Sequence, residues 1–253
     1  MTNTDRIWTA ALIVVGDEIL SGRTQDKNIA QVAAWLGVQG IRLREVRVVP
    51  DVIDAIVEAV NTLRARNDYL FTTGGIGPTH DDITVDAVAQ ALGVPVVIHP
   101  RARAILEAYY ETRGGLNDAR LRMARVPDGA DLIENRVSGA PGIRAGNVFL
   151  MAGVPSITAQ MLDGLTGKLE GGLPVISHTV GCWVAESEIA VMLGDTEKRF
   201  AGVQIGSYPF FREGRTGANF VIRSVDADVL LACAQDLSAQ LAAIGREPVD
   251  GGI

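Results

Sequence analysis

Apolar and polar positions along the first hundred residues alternate between two periods. Trp8 to Val15 (WTAALIVV) carries no polar side chain after Thr9 and ends at Gly16, the pattern of a strand buried on both faces. From Asn28 the apolar positions Ile29, Val32, Ala33 and Leu36 fall at helical spacing, and Gly37 and Gly40 close the run. Ile41 to Val49 returns to alternation, with Arg42, Arg44 and Arg47 interleaved, which predicts a strand with one face more open to water. Pro50-Asp51 then starts a helix whose apolar face is Ile53, Ile56, Val57, Val60 and Leu63, with Asp51 and Asp54 placed to cap it. Tyr69 to Thr73 is a third strand, a helix runs from Val85 to about Leu92, Gly93 to Ile98 gives a fourth strand, and Pro100 opens a helix reaching Tyr110. Strands alternating with helices predict parallel βαβ units, whose ligands sit beyond the carboxyl ends of the strands.

The later part of the chain is less regular. A short basic helix is expected over Asn117 to Arg125, small strands over Asp131 to Glu134 and Asn147 to Met151 around a loop at Ser138 to Gly142, and a helix over Ile157 to Leu165. GKLEGGLP (Gly167 to Pro174) has the composition of a linker. After it come a strand (Val175 to Val180), a helix (Glu186 to Phe200), a hairpin (Val203 to Phe211 with Asn219 to Val225) and a last helix from about Asp226, with Val229, Cys233, Leu237 and Leu241 facing inward. The expected organisation is an α/β three-layer domain on a parallel-rich sheet over residues 1–170 and a smaller α+β domain over 171–253, with a frayed PVDGGI end.

Composition narrows the function more than the fold. With 23 basic against 30 acidic side chains the net charge is −7, which disfavours nucleic acid and anionic membranes as partners. The two cysteines lack metal-ligand spacing and fit buried thiols in a reducing compartment. MTNTDRIWTA is not a signal peptide and Ala10 to Val15 is too short to span a bilayer, so a cytoplasmic protein is expected.

Against that background TTGGIGPTHDDIT, Thr72 to Thr84, stands out. A strand end, three glycines (Gly74, Gly75, Gly77) with Pro78, and Thr84 placed to cap the next helix offer backbone N–H groups to an anion. Asp81 and Asp82 would repel a bare phosphate, and a hard divalent cation such as Mg²⁺ resolves that conflict. The loops Gly16 to Asn28 and Pro50-Asp51 also follow strands, so Glu18 and Asp51 can reach the same sheet edge. Arg120 and Arg122 are candidates to neutralise a phosphate.

At this loop the chain resembles the MoaB/Mog/CinA family, the molybdopterin-binding fold, and within it the N-terminal part of the competence/damage-inducible protein A group. The resemblance is carried by GDEILSG (Gly16 to Gly22) with Asn28, by Pro50-Asp51, by TTGGIGPTHDDIT, by ARLRMARVPDGA, by Asn135 with Ala140-Pro141-Gly142, and by AGVPS (Ala152 to Ser156). The region around GSYPFF (Gly206 to Phe211) resembles the small KH-like domain that follows in such proteins; it lacks a GxxG loop, so RNA binding does not carry over. The resemblance implies a homo-oligomer and one of two chemistries. Mog-like members adenylate molybdopterin with Mg-ATP; CinA-like members hydrolyse the pyrophosphate of ADP-ribose-type dinucleotides with a divalent cation. In the Mog-like pattern the residue before the second acid is basic, and here it is Asp81, which favours the CinA-like branch. A non-catalytic ligand-binding scaffold is the third alternative. The amidase domain of longer members is not expected.

The resulting expectations are specific. Asp82, Asp81 and Asp51 are the catalytic candidates. Asp82, Asp51 and Glu18 are the candidate ligands for Mg²⁺ or a similar ion. Thr73, Gly74, Gly75, Gly77, Pro78, Thr79, Ser21 and Asn28 are the candidate contacts to a nucleotide or pterin phosphate, with molybdopterin itself the alternative ligand.

Overall fold

The computed structural model describes residues 6–253; the expectation of no signal peptide, read from residues 1–10, falls partly outside the described residues. The chain divides into two units, one through Gly172 and one from Leu173 to Ile253. In chain order the first contains β1 (Trp8–Val15), α1 (Asp17–Leu20), α2 (Asn28–Val38), β2 (Ile41–Val49), α3 (Ile53–Arg64), β3 (Tyr69–Thr73), α4 (Thr84–Leu92), β4 (Val96–Ile98), α5 (Pro100–Tyr110), α6 (Asp118–Leu121), β5 (Arg125–Pro127), β6 (Asp131–Ile133), β7 (Gly142–Ala145), β8 (Val148–Met151) and α7 (Pro155–Leu165).

The central sheet has the order β2-β1-β3-β8-β7-β6. The first four strands are parallel, and β7 and β6 continue antiparallel. The uninterrupted apolar run of β1 follows from its position, because alternate residues enter different cores. Ala11, Ile13 and Val15 pack with Ile56, Val60 and Leu63 of α3 and Val88 of α4. Ala10, Leu12 and Val14 pack on the other side with Val32 and Leu36 of α2 and Met161 and Leu165 of α7. Two helical layers on one sheet make the expected three-layer α/β domain. The arginines of β2 are explained by its edge position, where one flank lacks a neighbouring strand.

Several local expectations are corrected. Val96–Ile98 does not join the main sheet: β4 pairs antiparallel with β5 in a separate two-stranded sheet, and β8 takes the place beside β3. The segment after Gly16, expected as loop throughout, forms one helical turn, α1. Ile53, assigned to the apolar face of α3, is exposed, and Ala59 is buried instead. Thr84 is the first residue of α4 rather than its cap; the cap position is Ile83.

The second unit contains β9 (Ile176–Cys182), α8 (Glu186–Arg199), β10 (Gln204–Arg212), β11 (Arg215–Ser224), α9 (Ala227–Ala243) and β12 (Pro248–Asp250). These form an antiparallel sheet of order β10-β11-β9-β12, with Cys182, Phe220 and Ile222 packed against Cys233, Leu237 and Leu241 of α9. Leu230, rather than Val229, is the buried residue in the first turn of α9. The end expected to fray is ordered, because β12 pairs with β9 and Asn219 Nδ2 donates to the Ile253 carbonyl at 3.1 Å.

Candidate functional site

The parallel strands place four chain segments at one sheet edge, since Val15 lies beside Val49, Val14 beside Thr73, and Thr73 beside Met151. From β1 the chain goes to β2 on one side and then to β3 on the other, so the sheet reverses its order between β1 and β3. Such a reversal leaves a crevice between the loops that follow the two strands. Here that crevice is a cavity of about 690 Å³, within the ~300–1,000 Å³ typical of cofactor and substrate sites.

The glycine loop is shaped by its neighbours. Gly74 has φ 96° and its α-carbon hydrogen faces the Val15 carbonyl so closely that a Cβ would overlap it. Gly75 has φ 67° and lies equally close to the Thr84 hydroxyl. Both positions therefore need glycine, for backbone conformation and for space. Thr84, fully buried, ties the loop to α4: its Oγ1 donates to the Gly74 carbonyl at 2.9 Å and its amide to the Gly75 carbonyl at 3.0 Å. The Gly74 amide donates to the Met151 carbonyl at 3.1 Å. The amides of Gly75, Ile76 and Gly77 have no protein acceptor among the described residues and are the ones left for an anion.

Glu18, Asp51, Asp81 and Asp82 all line this cavity, with Gly74, Gly75, Gly77 and Pro78. Asp51 does not cap α3, whose cap position is Val52; its Oδ2 accepts the Asp17 amide across the crevice at 2.9 Å. Burial pushes the Asp51 carboxyl above its usual range, and the charges of Asp17, Glu18 and Asp81 push it the same way, against the Asp17 amide. Asp81 lies below the ordinary range, chiefly through the Thr79 hydroxyl. Asp82 folds back under the loop, where its Oδ2 accepts the Thr79 amide at 2.7 Å and the Thr79 hydroxyl.

Thr73, Thr79, Ser21 and Asn28, expected as ligand contacts, are not among the residues that line the cavity. The Thr73 hydroxyl is buried without a partner. Asn28 is buried and donates through Nδ2 to the Gly153 carbonyl at 2.8 Å, which fixes the start of α2 to the loop after β8. Ser21 is exposed and bonds the Glu18 carbonyl at 3.4 Å. Arg122 reaches the Asp82 carbonyl at 3.5 Å from behind the loop, and Arg120 stacks on Tyr110. Sequence reasoning missed Thr24, Tyr110, Met123 and Met161 as lining residues. Nothing in their local pattern marks them, because helical periodicity reports which face is inward and not what the inward face meets.

No Lys, Arg or His among the described residues lines the cavity, and the basic side chain beside its four carboxylates is the exposed His80, whose Nδ1 lies 3.9 Å from Asp81 Oδ1. No three His, Cys, Asp or Glu side chains among the described residues are gathered tightly enough to hold a metal ion by themselves. An all-oxygen acidic donor set of this kind fits a divalent cation that takes one or two carboxylates and completes its shell with phosphate and water oxygens.

Fold and cavity together define a doubly wound α/β domain with an acidic cavity at its switch point. The comparisons then give the family. Residues 11–171 match the family model described as probable molybdopterin binding domain, and residues 174–248 match that of the middle domain of FAD synthase. The chain belongs to the MoaB/Mog/CinA family of molybdopterin-binding-fold proteins. It is 35% identical to a protein of Aeropyrum pernix over 81% of this chain and 79% of that one. It is 34% identical to a CinA-like protein of Citrifermentans bemidjiense over 95% of this chain, but spans 61% of that relative's length. Among solved structures it is similar to the protein CinA of Thermoplasma acidophilum, with a TM-score of 0.59 and 34% identity, over 64% of this chain and 99% of that one. Among the described residues no helix is long and apolar enough to cross a membrane.

Proposed function

We propose that this protein hydrolyses a nucleotide pyrophosphate of the ADP-ribose type with the help of a divalent cation. The observation that carries the reading is the conjunction in one cavity of free glycine-loop amides, which attract phosphate, and four carboxylates, which repel it. A cation between them removes the conflict. Asp51, Glu18 and Asp82 would hold that ion, and bound there it supplies charge neutralisation and Lewis acidity at a phosphoryl oxygen.

The chain's own groups do the rest. The amides of Gly75 to Gly77 bind the oxygens of the departing phosphate, where negative charge builds as the anhydride breaks. Asp81, exposed at the cavity, would orient the attacking water and accept its proton. The clasp between Asp82 and Thr79 keeps the loop closed around both.

A molybdopterin-binding or adenylylating role is the second reading, supported by the description of the matching family model. The deciding experiment is product analysis of the purified protein with ADP-ribose, with FAD, and with molybdopterin plus ATP, each with Mg²⁺ or with chelator. The hydrolase reading expects cation-dependent release of AMP from ADP-ribose and its loss in Asp82→Ala. Adenylated pterin without ADP-ribose cleavage would establish the second reading instead, and near-normal cleavage by Asp82→Ala would remove Asp82 from the mechanism.

A further inference from the structure

The cavity has two kinds of wall. Its acids come from the segments that follow β1, β2 and β3, at one half of the sheet. The other half contributes Pro141 just before β7, Val154 after β8, and Ile157 and Met161 on α7. Among the described residues, no lining residue from that half carries a charge. Ser138, in the loop before β7, lines the same half with a hydroxyl.

The part that this hydroxyl can play is set by Asn135. That side chain is buried and spends both ends of its amide on the backbone of the loop: Oδ1 accepts the Val137 amide at 3.0 Å, and Nδ2 donates to the Ala140 carbonyl at 2.7 Å. A backbone N–H only donates and a carbonyl only accepts, so these two partners fix which end of the side-chain amide is nitrogen. Nδ2 also lies 2.7 Å from Ser138 Oγ, and to that oxygen it can only donate. Ser138 Oγ is therefore the acceptor in the bond and keeps its one proton for another partner. No atom among the described residues accepts that proton. Gly139, the next residue, has φ 73° and lies so close to Tyr109 that a Cβ would overlap the ring, which holds the loop against α5. A donor fixed in this way loses little conformational freedom when a ligand arrives.

We infer that Ser138, aimed by Asn135, donates a hydrogen bond to an uncharged oxygen of the ligand, a hydroxyl or ring oxygen of a sugar attached to the phosphates. The inference deepens the proposed function and rests on it for the position of the phosphates, over the glycine loop on the acidic side. A phosphate oxygen is the poorer acceptor for Ser138, because a wall without cations offers nothing to offset its desolvation. Ser138 is thus a specificity-determining residue, favouring sugar-bearing phosphates over bare pyrophosphate, and Asn135 is its positioning residue.

The test is calorimetric binding of AMP, ribose 5-phosphate and inorganic pyrophosphate, with Mg²⁺ present, to the wild-type chain and to Ser138→Ala, Ser138→Thr and Asn135→Asp. Loss of one neutral hydrogen bond predicts that Ser138→Ala weakens AMP, ribose 5-phosphate or both by about 2- to 12-fold and leaves pyrophosphate unchanged. Ser138→Thr keeps the hydroxyl and should bind as the wild type does. Asn135→Asp puts a carboxylate oxygen where the amide N–H stood, so the Ser138 proton turns to it and away from the ligand. That variant should match Ser138→Ala for the sugar-bearing ligands, and Ser138→Ala added to it should cost nothing more. Three results would overturn the inference: equal loss for pyrophosphate, no loss for either sugar-bearing ligand, or a Thr variant as weak as Ala. A further loss on adding Ser138→Ala to Asn135→Asp would remove Asn135 as the positioning residue. Sugar-dependent binding without ADP-ribose hydrolysis would refute the hydrolase reading and leave the Ser138 contact standing. Hydrolysis with both KM and kcat unchanged in Ser138→Ala would do the reverse.

Discussion

Replacing Gly75 by alanine tests the physical account of the glycine loop. Gly75 has φ 67°, a left-handed conformation that costs a residue with a Cβ about 1–2 kcal/mol. The added methyl would also overlap the Thr84 hydroxyl and drive it from the Gly74 carbonyl it bonds at 2.9 Å, a loss of about 1 kcal/mol. The two effects sum to roughly 2–3 kcal/mol, or about 5–10 °C in Tm for a unit of this size. Urea unfolding followed by tryptophan fluorescence in a Trp183→Phe background measures it, because Trp8 and Trp35 then report on the first unit alone. The decisive measurement is the double-mutant cycle with Thr84→Ala. Removing the hydroxyl makes room for the methyl and the hydrogen bond cannot be lost twice, so the double variant should be less destabilised than the sum by about 1 kcal/mol. Costs that add to within about 0.3–0.5 kcal/mol would refute the proposed contact, as would a Gly75→Ala variant as stable as wild type.

Two further outcomes can be checked by similar means. Burial raises Asp68, but the amide and hydroxyl of Thr9 together with Arg6 outweigh it and hold the carboxyl below its usual range. A depressed carboxylate stabilises the fold above its unfolded pKa and loses that contribution as pH falls through its folded pKa. Asp68→Asn should therefore cost about 1–2 kcal/mol at pH 7 and progressively less below about pH 4, measured as urea midpoints against pH; a pH-independent cost would disprove the linkage. Asn28→Ala should cost about 0.5–1.5 kcal/mol by removing the buried amide's 2.8 Å hydrogen bond to the Gly153 carbonyl, and an unchanged stability would show that water or another donor replaces the amide.

Much of this architecture was legible because its strongest signals are local. The apolar run of β1, the edge arginines of β2 and the helical spacing of α2 and α3 report burial on two faces, one face or a stripe, whatever the rest of the chain does. The acidic glycine loop was legible for the same reason: glycine, proline and adjacent carboxylates exclude regular structure wherever they occur. Errors arose where pairing was non-local. Val96–Ile98 and Val148–Met151 are both short apolar strands, and nothing within either segment says which one lies beside β3. Pro248–Asp250 sits beside two glycines and reads as a loose end until β9, some seventy residues earlier, offers it hydrogen-bond partners.

The candidate site divides along the same line. Sequence alone determined the residue types of an anion loop with its carboxylates, since those depend on composition and spacing within thirteen residues. Tertiary structure decided what each group does there. Asp51 looked like a helix cap and became a crevice carboxylate because β2 ends beside β1, which puts the Asp17 amide within reach. Asn28 looked like a ligand contact and became a brace because α2 and the loop after β8 meet on one side of the sheet. Tyr110 gave no signal at all, for the cavity it faces exists only once loops from both halves of the sheet converge at the edge where the strand order reverses.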